Sequence, residues 1–181
     1  MSSLAEYCRS QESEDGTLEE IAARLGTPVP SILDSYFSNR KAQVSAVLSD
    51  SKSFSIWKRA RHVYEESLRV MGVLGAPLDG PGFGSIMSAS HVSCKNLFEC
   101  SCEELDVLVD ICVKAGALGS RLTGAGWGGC TVSCVEESRV QDFVDTVTKE
   151  YYNEYMSMEG PLPDGSICVS LGGSGATIVE I

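Results

Sequence analysis

Histidine is scarce in this chain, with only His62 and His91 in 181 residues. Basic side chains are also few: 14 Lys and Arg stand against 25 Asp and Glu, a formal net charge of −11. A surface that negative repels phosphate backbones and anionic headgroups, so neither nucleic acid nor a membrane surface is an expected partner. Small phosphates stay open, because backbone amides hold them without a basic side chain. No apolar run approaches the ~20 residues that a membrane helix needs. The first residues lack the basic start and apolar stretch of a secretory signal, which makes a cytoplasmic location the expectation.

Paired metal-ligand spacing is missing too. The cysteines are Cys8, Cys94, Cys100, Cys102, Cys112, Cys130, Cys134 and Cys168. Cys100 and Cys102 are too close for a zinc pair, and Cys130 with Cys134 has no second pair or His nearby. Buried thiols are expected, with no structural metal and no disulfide framework. What is present is ordinary for one folded domain: 43% hydrophobic and 22% charged residues.

Three Ser/Thr-x-x-Glu/Gln boxes predict helix starts, at Thr17 with Glu20, Ser101 with Glu104, and Ser138 with Gln141. The first helix should stop near Gly26. The second carries Leu105, Leu108, Val109 and Cys112 on one face, and the third carries Val140, Phe143, Val144, Val147 and Tyr151. Two further stripes have helical spacing: Ile56, Trp57, Ala60, Val63, Tyr64, Leu68 and Met71, then Phe83, Ile86, Met87, Ser90, His91, Cys94, Leu97 and Phe98. Residues 75–82, with Pro77, Pro81 and three glycines, read as the turn between them.

Strand signals come late. Residues 117–122 and 130–135 flank one glycine stretch, and 166–171 and 176–181 flank a second at 172–175. The order predicts an α+β fold, an antiparallel four-stranded sheet with helices packed on one face, preceded by extra helices. Residues 1–16 and 39–53 are polar and weakly patterned and read as loop or frayed ends. The division expected is a helical and loop extension over 1–55 and a domain over 56–181.

The densest signal is Gly124, Ala125, Gly126, Trp127, Gly128 and Gly129. Its glycines match the letters of a dinucleotide fingerprint, but that fingerprint opens a helix, and here a strand follows. No Lys-Ser/Thr comes after the glycines, so it is not a Walker loop. Two readings stay open: a wide hairpin turn, or a backbone that closes over a phosphate-binding loop. Trp127 needs something to pack against, either the helical layer or a domain outside this chain. Arg121 has three partners open to it: a phosphate, the other domain or a nearby acid. His91 is expected to be buried with one hydrogen bond, and His62 to lie on a solvated charged face with Arg59, Arg61, Glu65 and Glu66. Glu103, Glu104, Glu136 and Glu137 sit at helix starts, where the macrodipole favours negative charge. Tyr151 and Tyr152 read as core and interface.

These residues carry a resemblance. Residues 116–135, Gly-Ala-Leu-Gly-Ser-Arg-Leu-Thr-Gly-Ala-Gly-Trp-Gly-Gly-Cys-Thr-Val-Ser-Cys-Val, resemble the third signature motif of galactokinases, within the GHMP group of small-molecule kinases. Arg59-Ala-Arg-His-Val-Tyr-Glu-Glu-Ser-Leu-Arg-Val70 is similar to the helix ahead of that motif. Ser90-His-Val-Ser-Cys94 and Phe98-Glu-Cys-Ser-Cys-Glu-Glu-Leu-Asp106 resemble the eukaryotic branch that includes N-acetylgalactosamine kinase. One departure is Ser88, where that branch often has Asn. The resemblance implies a GHMP kinase C-terminal, ferredoxin-like domain. It also implies ATP- and Mg2+-dependent phosphorylation of the anomeric hydroxyl of galactose or N-acetylgalactosamine. The sugar pocket, catalytic Asp and phosphate loop would lie in an N-terminal kinase domain that this chain lacks. No catalytic or metal-binding residue is therefore assigned here. The 124–129 loop would help shape the nucleotide site, and the chain alone would be inactive. The alternative is a non-catalytic sugar- or nucleotide-sensing or interaction protein built on the same domain.

Overall fold

The computed structural model describes residues 15–37, 41–75 and 79–171. Four helices come first: α1 (Leu18–Leu25), α2 (Val29–Phe37), α3 (Lys41–Asp50) and α4 (Ile56–Gly75). The Thr17–Glu20 capping box forms in both directions, and Gly26 closes α1 in the left-handed conformation at φ 62. Gly16 and Phe54 exchange two backbone hydrogen bonds, 3.2 and 2.9 Å, which tie the start of this region to the start of α4. Helix α3 corrects the loop expected over 39–53. Its sequence has no glycine or proline and several strong helix formers, so propensity makes a helix where no apolar stripe announces one. Helix α4 has the predicted extent, yet none of its residues is fully buried and Val63 is 54% exposed.

Helix α5 (Gly80–Ser93) begins inside the stretch read as a turn. The Asp79 carboxylate accepts from the Gly82 amide at 2.7 Å, and Pro81 occupies the first turn, where its missing N–H costs nothing. The helix runs on into one wider, π-type turn (Cys94–Phe98) that ends with Glu99 left-handed. A short connector leads to α6 (Glu103–Lys114), where Leu105, Leu108, Val109 and Cys112 are all buried as their spacing requires. The expected Ser101 cap does not form. Its hydroxyl donates to Asp106 at 2.6 Å, and Cys102 takes the cap position without a side-chain bond.

Strands β1 (Gly119–Thr123) and β2 (Cys130–Cys134) pair antiparallel, from Gly119 opposite Cys134 to Thr123 opposite Cys130. A 3-10 turn (Glu137–Arg139) then precedes α7 (Val140–Val147), which continues as a π-type segment (Thr148–Tyr155). Here too the serine box is not made, since Gln141 bonds Asp145 instead.

Two cores share α6. One joins Leu108, Cys112 and Ala117 to Phe143, Val147 and Tyr151 of the α7 region. The other joins Leu105 to Cys94, Cys100 and Leu122, beneath β1. Among the described residues the sheet has two strands, not four. Residues 166–171 form no ladder, and the Ser166 amide bonds the Pro163 carbonyl at 3.1 Å instead. The glycine stretch at 172–175 and the arm at 176–181 lie outside the described residues, as do 1–14. No helix among the described residues is long and apolar enough to cross a membrane.

Candidate functional site

The ladder ends at the Thr123–Cys130 pair and leaves residues 124–129 as a loop between β1 and β2. Positive φ recurs along it: 85° at Gly124, 82° at Gly126, 54° at Trp127, 133° at Gly128 and 93° at Gly129. This path is nearly closed to side chains, which accounts for the glycine density. One glycine has a second reason. A Cβ on Gly126 would stand 2.1 Å from the Cys100 carbonyl oxygen, so the loop and the α5–α6 connector touch backbone to backbone. The next amide, of Trp127, donates to that same carbonyl at 2.7 Å and holds the tryptophan in its left-handed conformation. Among the described residues, nothing beyond their chain neighbours lies within 4 Å of a would-be Cβ on Gly124, Gly128 or Gly129. Trp127 is 65% exposed, so the helical layer is not its partner.

The loop stem rests on two polar groupings. In the first, the Arg121 guanidinium lies 3.2 Å from Glu66 of α4, which also accepts from Ser90 at 2.5 Å and from Arg69 at 2.8 Å. Arg121 is thus committed to an acid, the third of its three open roles. Burial pushes the Glu66 carboxyl up, but the Ser90 hydroxyl and the Arg69 and Arg121 charges more than reverse this and hold it below the ordinary value. In the second grouping, buried His91 accepts the Leu122 amide on Nδ1 at 3.3 Å and has Nε2 3.4 Å from Asp106. Asp106 also binds Ser101 and, at 2.9 Å, Lys95. Burial lowers the His91 pKa, against the pull of Asp106. His91 therefore has two partners rather than one.

His62 is not on a solvated face. Its Nδ1 meets Ser93 at 2.9 Å, its ring packs 4.9 Å from that of Phe98, and burial lowers its pKa. Of its charged neighbours, Lys58 and Arg59 reach Glu99, and Arg61 pairs with Glu65. The sequence reading missed Glu66, Asp106, Lys95 and the Cys100 carbonyl. Glu66 did carry a signal: His62, Glu66 and Arg69 follow one another at helical spacing and form a polar stripe facing α5 and β1. Cys94, Cys100 and Cys112 are buried free thiols, and burial pushes Cys94 up to about 11. Among the described residues no three His, Cys, Asp or Glu side chains converge as a metal site. Tyr151 is core, edge-on to Tyr152 at 5.1 Å.

Comparison with known proteins follows from this geometry. Residues 76–153, which contain the loop, Arg121, Ser90 and the His91–Asp106 grouping but not Glu66 or Arg69, match the family model described as GHMP kinases C terminal. A galactokinase of Dictyostelium discoideum is 38% identical over 169 residues, covering 82% of this chain and 32% of the relative. A galactokinase of Saccharomyces cerevisiae is 34% identical over 139 residues, covering 70% and 26%. A crystal structure of Lactococcus lactis galactokinase complexed with galactose is 36% identical with a TM-score of 0.49, covering 57% of this chain and 27% of that one. The chain thus spans about a third or less of the length of the curated relatives it matches. Residues 76–153 are a GHMP kinase C-terminal domain, and galactokinases are among its homologues.

Proposed function

We propose that this chain is the C-terminal part of an ATP-dependent, galactokinase-like sugar 1-kinase, with Gly124, Ala125, Gly126, Trp127, Gly128 and Gly129 backing the nucleotide site. In this reading residues 56–181 are the kinase's C-terminal domain and residues 1–55 its helical and loop extension. The carrying observation is the loop itself: side-chain-poor, facing outward, and open at Gly124, Gly128 and Gly129. Such a surface admits another backbone or a phosphate at close range. It offers no charge of its own, because Arg121 is already paired with Glu66 and the chain carries −11. Neutralising the γ-phosphate therefore falls to the polypeptide that precedes this domain and to Mg2+, for which the described residues form no ligand set. When bound, ATP supplies the phosphoryl group, and this chain's loop limits the space around it and excludes water. The choice between galactose and N-acetylgalactosamine belongs to a sugar pocket in the preceding domain.

Phosphoryl transfer depends on positioning and charge stabilisation, and a domain without the acceptor pocket or phosphate loop supplies neither in full. The purified chain is expected to release no ADP with any sugar. Co-expressed with the N-terminal part of the Dictyostelium relative, it is expected to turn over galactose or N-acetylgalactosamine. ADP release by the chain alone would overturn its assignment as a part. A complemented protein that binds sugar and nucleotide without releasing ADP would favour the non-catalytic sensing role.

A further inference from the structure

Beneath the loop lies a hub that the nucleotide reading leaves unused. The Asp106 carboxylate collects Ser101 of the connector at 2.6 Å, Lys95 of the α5 extension at 2.9 Å and His91 of α5 at 3.4 Å. Two arms run from this hub to the loop. His91 reaches the stem, two residues before the loop begins, and the connector reaches the tip through the Cys100 carbonyl and the Trp127 amide. The first arm is unusual in kind. Among the described residues β1 has a strand on one side only, and the Leu122 amide on its other edge is satisfied by an imidazole nitrogen. A neighbouring strand would offer a carbonyl there, which accepts at every pH. Imidazole accepts only while neutral; with Nδ1 accepting, the single proton sits on Nε2 and faces Asp106.

We propose that His91, oriented by Asp106, is the positioning residue of the 124–129 loop, and that its protonation releases the loop stem. A protonated ring places Nδ1–H against the Leu122 N–H, two donors with no acceptor between them. The charges around the ring are Asp106 and Asp110 of α6 and Lys95 of the α5 extension. Arg121 of β1 is engaged with Glu66 of α4, and the neighbouring Cys94 thiol stays protonated. Asp106 and Asp110 favour the charged ring and Lys95 opposes it, while burial, the largest influence, keeps it neutral at pH 7. The folded-state pKa is depressed, so the contribution to stability is complete above the ordinary value of about 6.5 and is lost as pH falls below it.

The functional consequence rests on the nucleotide reading, but the positioning role does not, and the test separates them. In the full chain with Trp57→Phe, Trp127 is the sole tryptophan. Its emission and acrylamide quenching are followed from pH 8 to pH 4 beside far-UV ellipticity. Trp127 is expected to become more mobile below pH 6.5, ahead of any loss of ellipticity. His91→Gln, which keeps an acceptor that cannot titrate, is expected to abolish that step. Asp106→Asn is expected to move it to lower pH, since it removes the charge that favours the imidazolium. His62→Gln, at the other histidine, should leave it in place. If Trp57→Phe does not fold, the same signal is read as the difference between the parent chain and Trp127→Phe. A step that survives His91→Gln, that coincides with unfolding, or that is absent from the parent overturns the proposal. In the complemented enzyme, the KM for ATP is expected to stay level from pH 8 to pH 6.5 and to rise below pH 6.5 in the parent, and not to rise in His91→Gln. A pH step at Trp127 in a complemented enzyme whose KM for ATP ignores Gly128→Ala would defeat the nucleotide reading and leave the positioning role standing.

Discussion

Where α5 crosses β1, glycine brings backbone onto backbone. A Cβ on Gly84 would stand 2.0 Å from the Leu118 carbonyl oxygen, and one on Gly119 would stand 2.0 Å from that of Gly84. At the loop tip, Gly128 and Gly129 have the opposite surroundings, with none of the described residues beyond their chain neighbours within 4 Å of a would-be Cβ. The crossing glycines are explained by the chain's own packing. The tip glycines are explained only in part, by their positive φ. A tighter or longer turn of ordinary residues could join the same two strands, so the conformation calls for a reason beyond the packing of the described residues. The contrast teaches that glycine density is not one signal. Glycines that face the chain's own backbone report on folding, and glycines that face open space report on what approaches from elsewhere.

The largest effect should come from the crossing. Gly84→Ala gains up to about 1 kcal/mol of helix propensity. It also forces α5 and β1 apart along their whole contact, at or beyond the upper end of the ~1–3 kcal/mol typical of overpacking. Urea unfolding of the isolated chain should show a large net loss or no folded baseline. A stability within 1 kcal/mol of the parent would mean that the crossing is not close-packed, and the comparison would break. Gly128→Ala comes next. At φ 133 an alanine is strained by about 1–3 kcal/mol, with no clash added. The isolated chain should lose that much and remain folded. The complemented enzyme should lose more in ATP turnover than the stability change explains, and the KM for ATP is the measurement that separates the two.

How far this contrast could be read in advance depended on distance along the chain. The α6 face was legible because Leu105, Leu108, Val109 and Cys112 need only helical geometry to share a side. The Thr17–Glu20 box was legible for the same reason. The Ser101 and Ser138 boxes marked helix starts, at Glu103 and at the Glu137 turn that leads into α7, but their capping bonds do not form. Ser101 found Asp106, and Gln141 found Asp145, so a second acceptor or donor of similar reach won each competition. Helix α3 escaped because its residues favour helix without forming a stripe. The loop was legible because positive φ leaves glycine behind it in the sequence. Its anchors were not: the Cys100 carbonyl has no side-chain identity, and His91 meets Leu122 across 31 positions of chain. The outward stance of Trp127 was one of two readings left open, and only the packing of α5, the connector and β1 decides it.

The smallest effect on stability should come from Trp127→Ser, and it tests the contrast from the other side. At 65% exposure the indole buries little on folding, and its anchoring bond to Cys100 uses the backbone amide, which serine keeps. Exposed substitutions of this kind change stability by no more than about 0.5 kcal/mol. Association should respond more strongly. An indole held out on a loop is an apolar surface that a second copy can cover. Sedimentation velocity of the isolated chain should therefore show concentration-dependent association that weakens in Trp127→Ser, while the urea midpoint stays in place. A midpoint that falls by as much as in Gly84→Ala would make the loop tip part of the chain's own core. The difference between the two glycine sites, and with it the physical case for an approaching nucleotide domain, would then be lost.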